Sequence, residues 1–161
     1  MPINNQTDPF SSTLTITNQV GELLKVAMWL EQVANDFQLP DPLVLKLDIV
    51  LNEALPNIIS YAYHDSEPHD IIIKLENNED FVSLEIRDDG LAFDPFSGPE
   101  FLEAPSLALA SCNGRGIHLI KSYTDHQQYR RIDNRNIMQV TIIKSSMLKN
   151  NAQSFEALGQ A

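Results

Sequence analysis

The chain predicts an α+β domain: a two-layer α/β sandwich whose mainly antiparallel, mixed sheet carries its helices on one face. Three observations predict it. Two long stretches before residue 64 repeat apolar residues at helical spacing. Segments with period-two alternation come in adjacent pairs after it. No regular β-α-β repeat joins them, which argues against a doubly wound nucleotide fold. With 161 residues, 43% of them apolar, the chain suits one domain with a sizeable core.

Residues 1–11 are polar and read as a flexible N-terminus, and 13–17, TLTIT, reads as a short strand. Asn18 is placed to cap a helix running to about Phe37, with Val20, Leu23, Leu24, Ala27, Leu30, Val33 and Ala34 as its apolar face. Met28 and Trp29 on that helix read as core or interface. Gln38-Leu39-Pro40 stops it, and Asp41-Pro42 offers an N-cap and an N1 proline for the next helix. That helix, 43–64, presents Leu47, Val50, Leu51, Ala54, Leu55, Ile58, Ile59 and Ala62 to a core. Pro56 inside it removes a hydrogen bond and crowds the preceding turn, so a bend or break is predicted beside Asn57.

Residues 64–69 form a turn, and 70–76 and 81–87 form a hairpin turned at 77–80. Val82, Leu84 and Ile86 alternate with Ser83, Glu85 and Arg87, giving one buried and one wet face. Residues 88–113 are irregular, with a short helix around 100–104; a connection this long in a compact domain suits a functional lid or a disordered segment. A helix over 115–123 follows, then strands 126–132 and 137–143 turned at 133–136, and a polar tail over 145–161.

The net charge of −11 argues against general affinity for nucleic acid, which needs a basic surface, but leaves nucleotide binding open. No stretch is long and apolar enough to span a membrane, and the N-terminus has no secretory-signal pattern. A single cysteine, Cys112, excludes an internal disulfide and suits a reducing compartment, so the expected localisation is cytoplasmic. The histidines, His64, His69, His118 and His126, lack metal-ligand spacing, and His64 and His69 read as solvated residues flanking a turn.

Three segments carry chemistry. Glu53 and Asn57 are four apart on the central helix and project from one face. A carboxylate there can take a proton or orient a hydroxyl, and a carboxamide oxygen can ligate Mg²⁺. Asp88 leaves a strand into the Gly90 turn, where its carboxylate can accept a hydrogen bond from an exocyclic amine such as adenine's. Gly114-Arg115-Gly116 opens a helix; glycines let the backbone approach phosphate oxygens, and the helix start adds partial positive charge. It is neither a Walker A loop nor a Rossmann fingerprint.

In this order the segments resemble the GHKL ATPase superfamily of gyrase, histidine-kinase, MutL and Hsp90-type nucleotide domains. Glu53–Asn57 resembles its N box. Asp88, Gly90, Phe93 and Asp94 resemble its G1 box, with Ala92 where a second glycine is usual. The run 114–122, GRGIHLIKS, resembles its G2 box and following helix. The run 129–144, YRRIDNRNIMQVTIIK, resembles the final hairpin of one branch, the anti-sigma-factor serine/threonine kinases of bacterial partner-switching systems. The likeness covers residues 12–144, taken as the ATPase domain.

The resemblance implies a Bergerat-type ATP site with an ATP lid. Glu53 would be the catalytic group, Asn57 would hold Mg²⁺, and Asp88 would recognise adenine. Gly90, Ala92, Phe93, Asn113, Gly114, Arg115, Gly116, Ile117 and Thr141 would line the nucleotide site. It further implies a STAS-fold anti-sigma-factor antagonist as substrate, a sigma factor as second partner, and a homodimer. The reading is therefore an ATP-dependent protein serine/threonine kinase. The alternative is a nucleotide-binding scaffold without transfer activity; a standalone nucleotide hydrolase is the third possibility.

Overall fold

The computed structural model describes residues 10–97 and 115–145, apart from the side chain of Arg115. The predicted short helix at 100–104, most of the predicted lid, Cys112 and the tail beyond 145 lie outside the described residues.

Strand β1 (Ser11–Thr17) leads through a 3-10 turn into helix α1 (Leu23–Asp36) and then α2 (Asp41–Tyr61). Strands β2 (Asp70–Asn77) and β3 (Phe81–Asp88) follow, then α3 (Arg115–Tyr123), β4 (His126–Ile132) and β5 (Arg135–Ile143). The five strands form one sheet in the order β1-β2-β3-β5-β4. Every described pairing is antiparallel, so the mixed character predicted for the sheet finds no parallel pair among these strands.

Alternation builds the core. Ile71, Ile73 and Leu75 of β2, Val82, Leu84 and Ile86 of β3, and Met138, Val140 and Ile142 of β5 all point to one face. Leu43, Leu47, Val50, Leu51 and Leu55 of α2, Val26, Leu30 and Val33 of α1, and Ile120 of α3 complete the same cluster. Each such side chain contributes about 1.5–3 kcal/mol on leaving water.

The alternation also positions chemistry. Asp88 continues the inward series of β3, and Asn136 continues that of β5; the register sets them directly opposite each other. Two polar residues thus take the last inward places of neighbouring strands, where both are buried.

Several local expectations are corrected. Helix α1 keeps part of the predicted face, with Leu30 and Val33 buried and Leu23 and Ala34 packed on the core, but Val26 joins it, whereas Val20 and Leu24 are 69% and 68% exposed and Ala27 is exposed too. Met28 is likewise exposed, while Trp29 is partly buried and donates from Nε1 to Ser12 Oγ at 2.9 Å. Asn18 caps no helix, because its side chain accepts from the His69 amide. The N-cap of helix α2 lies one residue before the predicted one: Pro40 is the N-cap, and Asp41 lies in the first turn, where its charge suits the helix dipole. Pro56 does not break α2, which runs through it without interruption. The last hairpin turns on two residues, Asp133 and Asn134, both at positive φ, so β5 begins at Arg135 and includes Asn136.

Candidate functional site

Helix α2 is the spine along which the three segments meet. Toward its middle, Glu53 and Asn57 face the start of α3. A Cβ added to Gly116 would lie 2.8 Å from Glu53 Oε2 and 3.6 Å from Asn57 Nδ2. Any side chain there would occupy the space of the carboxylate, so glycine lets the helix start sit against the acid–amide pair. Neither the Glu53 nor the Asn57 side chain makes a hydrogen bond to another described residue. Ile117 is half-buried in the same turn.

At the C-terminal end of α2 the chain after β3 closes on the helix. The Leu91 amide donates to Ala62 O at 2.9 Å. A Cβ on Gly90 would be 2.6 Å from Ala62 Cβ and 2.7 Å from Ala62 O. Both are parts of a packed helix end rather than a movable side-chain tip, so only glycine fits. Nine residues separate Glu53 from Ala62, about 13 Å along a helix axis.

Asp88 sits at this second contact. Its Oδ1 accepts from the Gly90 amide at 2.9 Å and from Asn136 Nδ2 at 2.9 Å. Asn136 Nδ2 also donates to Leu91 O at 2.8 Å. Asn136 Oδ1 accepts from Tyr129 O–H at 2.6 Å and from Arg131 Nη1 at 2.8 Å. Arg131 Nη1 also reaches Gly90 O at 3.2 Å. This network commits Oδ1 to the protein, while Oδ2 takes no hydrogen bond among the described residues. Burial pushes the Asp88 carboxyl above the usual carboxylate range, against the pull of the Asn136 and Gly90 bonds. A buried carboxylate with one oxygen unspent suits recognition of a hydrogen-bond donor.

The donor set fits magnesium adenosine triphosphate. A carboxylate and a carboxamide with no hydrogen bond among the described residues lie toward the middle of the spine, against a helix start. An acceptor for an amine lies at its C-terminal end.

The placements of the remaining predicted residues differ. Phe93 and Ala92 follow the Gly90 turn and are exposed, Phe93 by 58%. Asn113 and Gly114 fall outside the described residues, and Arg115 contributes its backbone to the first turn of α3. Thr141 does not join the site. It pairs with Ser83 and His126, five positions along β3 from Asp88, about 17 Å at strand rise. Odd spacing from Asn136 also puts it on the opposite sheet face.

Asn136 is a site residue that the sequence reading left in a turn. Its signal was present: it continues the series Met138, Val140, Ile142. His69 and Tyr63 were missed as well. His69 is not a solvated turn residue, because its side chain is only 19% exposed and stacks on Tyr63. Burial first, and then the Asp88 and Asp89 charges, push the Tyr63 hydroxyl well above the usual phenol range. That hydroxyl has no hydrogen-bond partner among the described residues.

Among the described residues no helix is long and apolar enough to cross a membrane, and no group of three or more His, Cys, Asp or Glu could hold a metal ion. The second finding leaves a carboxamide ligand such as Asn57 untouched.

Residues 16–144 match the histidine kinase-like ATPase domain family. The serine/threonine-protein kinase BtrW of Bordetella bronchiseptica is 30% identical over 139 residues, covering 86% of this chain and 95% of that protein. The family match takes in the acid–amide helix, Gly90, Gly116 and the closing hairpin. The chain belongs to the histidine kinase-like ATPase family, with the α+β fold and ATP-binding domain that this entails.

Proposed function

We propose that this protein is an ATP-dependent serine/threonine kinase of the anti-sigma-factor type. It phosphorylates a STAS-fold antagonist and sequesters a sigma factor or a similar partner in a bacterial partner-switching system. The observation that carries this reading is the seating of Gly116 against Glu53 and Asn57. It brings a helix start to a carboxylate and a carboxamide whose polar atoms are uncommitted among the described residues. The serine/threonine kinase named among the relatives supports it.

In this reading Asp88 Oδ2 accepts the adenine amine, and Asn57 would hold Mg²⁺ through its amide oxygen. The metal would neutralise phosphate charge. The amides at the start of α3 face the phosphates. Glu53 orients the hydroxyl of the incoming serine or threonine and takes its proton, while that oxygen gains the phosphoryl group and ADP departs. Phosphoryl transfer is mostly positioning and charge stabilisation, so these few groups suffice. The protein acts in the cytoplasm as a homodimer.

Incubation with Mg-ATP and the antagonist tests the reading. Phosphoserine or phosphothreonine should form on the antagonist and fall about 10²–10⁴-fold in Glu53→Ala, the scale of a general base. Tight ATP binding without transfer would instead identify a nucleotide-gated scaffold. Phosphate release without any partner would identify a hydrolase.

A further inference from the structure

The His69 imidazole lies against the base end of the site, and the reading above leaves it without a task. Its backbone is fixed from outside the α2–β2 turn. The Asn18 amide donates to His69 O at 3.0 Å, and the His69 amide donates to Asn18 Oδ1 at 2.9 Å. The ring stacks on Tyr63 with centroids 4.3 Å apart and planes 18° from parallel. Each ring nitrogen meets a carboxylate. Nε2 is 2.7 Å from Asp65 Oδ1, and Nδ1 is 3.1 Å from Asp89 Oδ1.

Ionised carboxylates only accept hydrogen bonds, and a neutral imidazole has a single N–H to give. Both contacts are hydrogen bonds only when the ring carries both protons. Asp89 is the residue between Asp88 and Gly90, in the turn whose amide bonds Asp88 Oδ1. We infer that His69 is a positioning residue for nucleotide recognition: its imidazolium clasps the Asp88–Leu91 turn to the end of α2 and holds Asp88 in its reading geometry. The inference rests on Asp88 being the base reader and adds a proton-dependent control of that site.

The titratable groups around the ring are Asp65, Glu67 and Asp70 on the α2–β2 connection and the start of β2, Asp88 and Asp89 at the end of β3, and the Tyr63 hydroxyl. The Asp65 bond, then the Asp89 bond, hold the ring's pKa above the ordinary histidine range. A pKa raised by folding gives a contact that is complete below that ordinary range. The contact is lost as pH rises through the raised value.

The test combines ring NMR, amide exchange and calorimetry with ADP on the native protein, His69→Gln and Asp89→Asn. Comparing variants at one pH cancels the titration of ADP itself. The ring should titrate above the ordinary histidine value. His69→Gln should weaken ADP binding about two- to fivefold at pH 6, the scale of a partly exposed ion pair, and leave it near the native value at pH 9. Asp89→Asn should do the same, and the double variant should be no worse than either single one. An equal loss at both pH values, an unshifted ring, or unchanged affinity at pH 6 overturns the inference. If the native protein binds no ADP, the nucleotide reading fails and the clasp is decided without ligand. Exchange at the Gly90 and Leu91 amides must then be faster in His69→Gln than in the native protein at pH 6 only; equal rates overturn it.

Discussion

At one end of α2, Asp88, Asn136, Tyr129 and Arg131 are tied into a single hydrogen-bond network. Nearer the middle of the helix, at the phosphate end of the site, Glu53 and Asn57 lie against Gly116 with their polar atoms uncommitted among the described residues. The base end is organised in advance, so little ordering is left for a ligand to cause there. The phosphate end keeps its groups free for charge that only a ligand brings. Substitutions at the two ends of the site should therefore separate: those near Glu53 should change chemistry and leave stability alone, whereas those around Asp88 should change affinity or stability rather than chemistry.

The largest effect should come from Gly116→Ala. The added methyl would stand 2.8 Å from Glu53 Oε2, and the flexible carboxylate would yield rather than the helix. Misplacing a catalytic group by about 1 Å can cost about 10²-fold in rate, so phosphoryl transfer to the antagonist should fall on that scale. The melting temperature should hold or rise, since alanine favours a helix over glycine by about 1 kcal/mol. Loss of folding instead of activity would erase the contrast between the ends.

Asp88→Asn comes next. The isostere keeps an oxygen for Gly90 and Asn136 but turns the free acceptor into a donor. ATP affinity measured by calorimetry should drop by about 1.5–3 kcal/mol, the value of a charge-assisted hydrogen bond. Thermal stability should be equal or higher. The Asp88 pKa is raised by folding, so the ionised form opposes folding above that pKa, and removing the charge relieves the opposition. The same sign predicts that ATP binding weakens as the pH falls through the raised Asp88 value.

Asn136→Ala should show the smallest effect on affinity and the clearest on stability. It leaves the Tyr129 hydroxyl and the buried Asp88 oxygen short of partners, a cost of about 1–3 kcal/mol in denaturant unfolding. An unchanged unfolding midpoint would show that the network organises nothing.

How legible these two ends were in the sequence follows from the distances involved. Glu53 and Asn57 were legible because helical spacing is local, and Asp88 because the alternation of Val82, Leu84 and Ile86 runs straight into it. Asn136 depended on the turn type: only with Asp133 and Asn134 as the whole turn does β5 reach back to oppose Asp88. Thr141 was misplaced for the same reason, because a strand's register decides both depth and face. His69 needed contacts with Asn18 and Asp89, remote in sequence, that no periodicity encodes. On α1, Leu30 and Val33 were legible, but apolar residues at neighbouring positions left the edge of the face open, and packing chose Val26 over Leu24. Pro56 looked disruptive, yet the helix continues through it and brings Asn57 to Gly116.

The central claim is that Asp88 at the C-terminal end of α2 and the Glu53–Asn57 pair nearer its middle serve one nucleotide. An NMR titration of the full chain with Mg-ATP tests it most directly. Amide signals of Glu53, Asn57 and Gly116 should move together with those of Asp88 and Gly90, all following one dissociation constant. Saturation at one end with silence at the other, or two different dissociation constants, would contradict it.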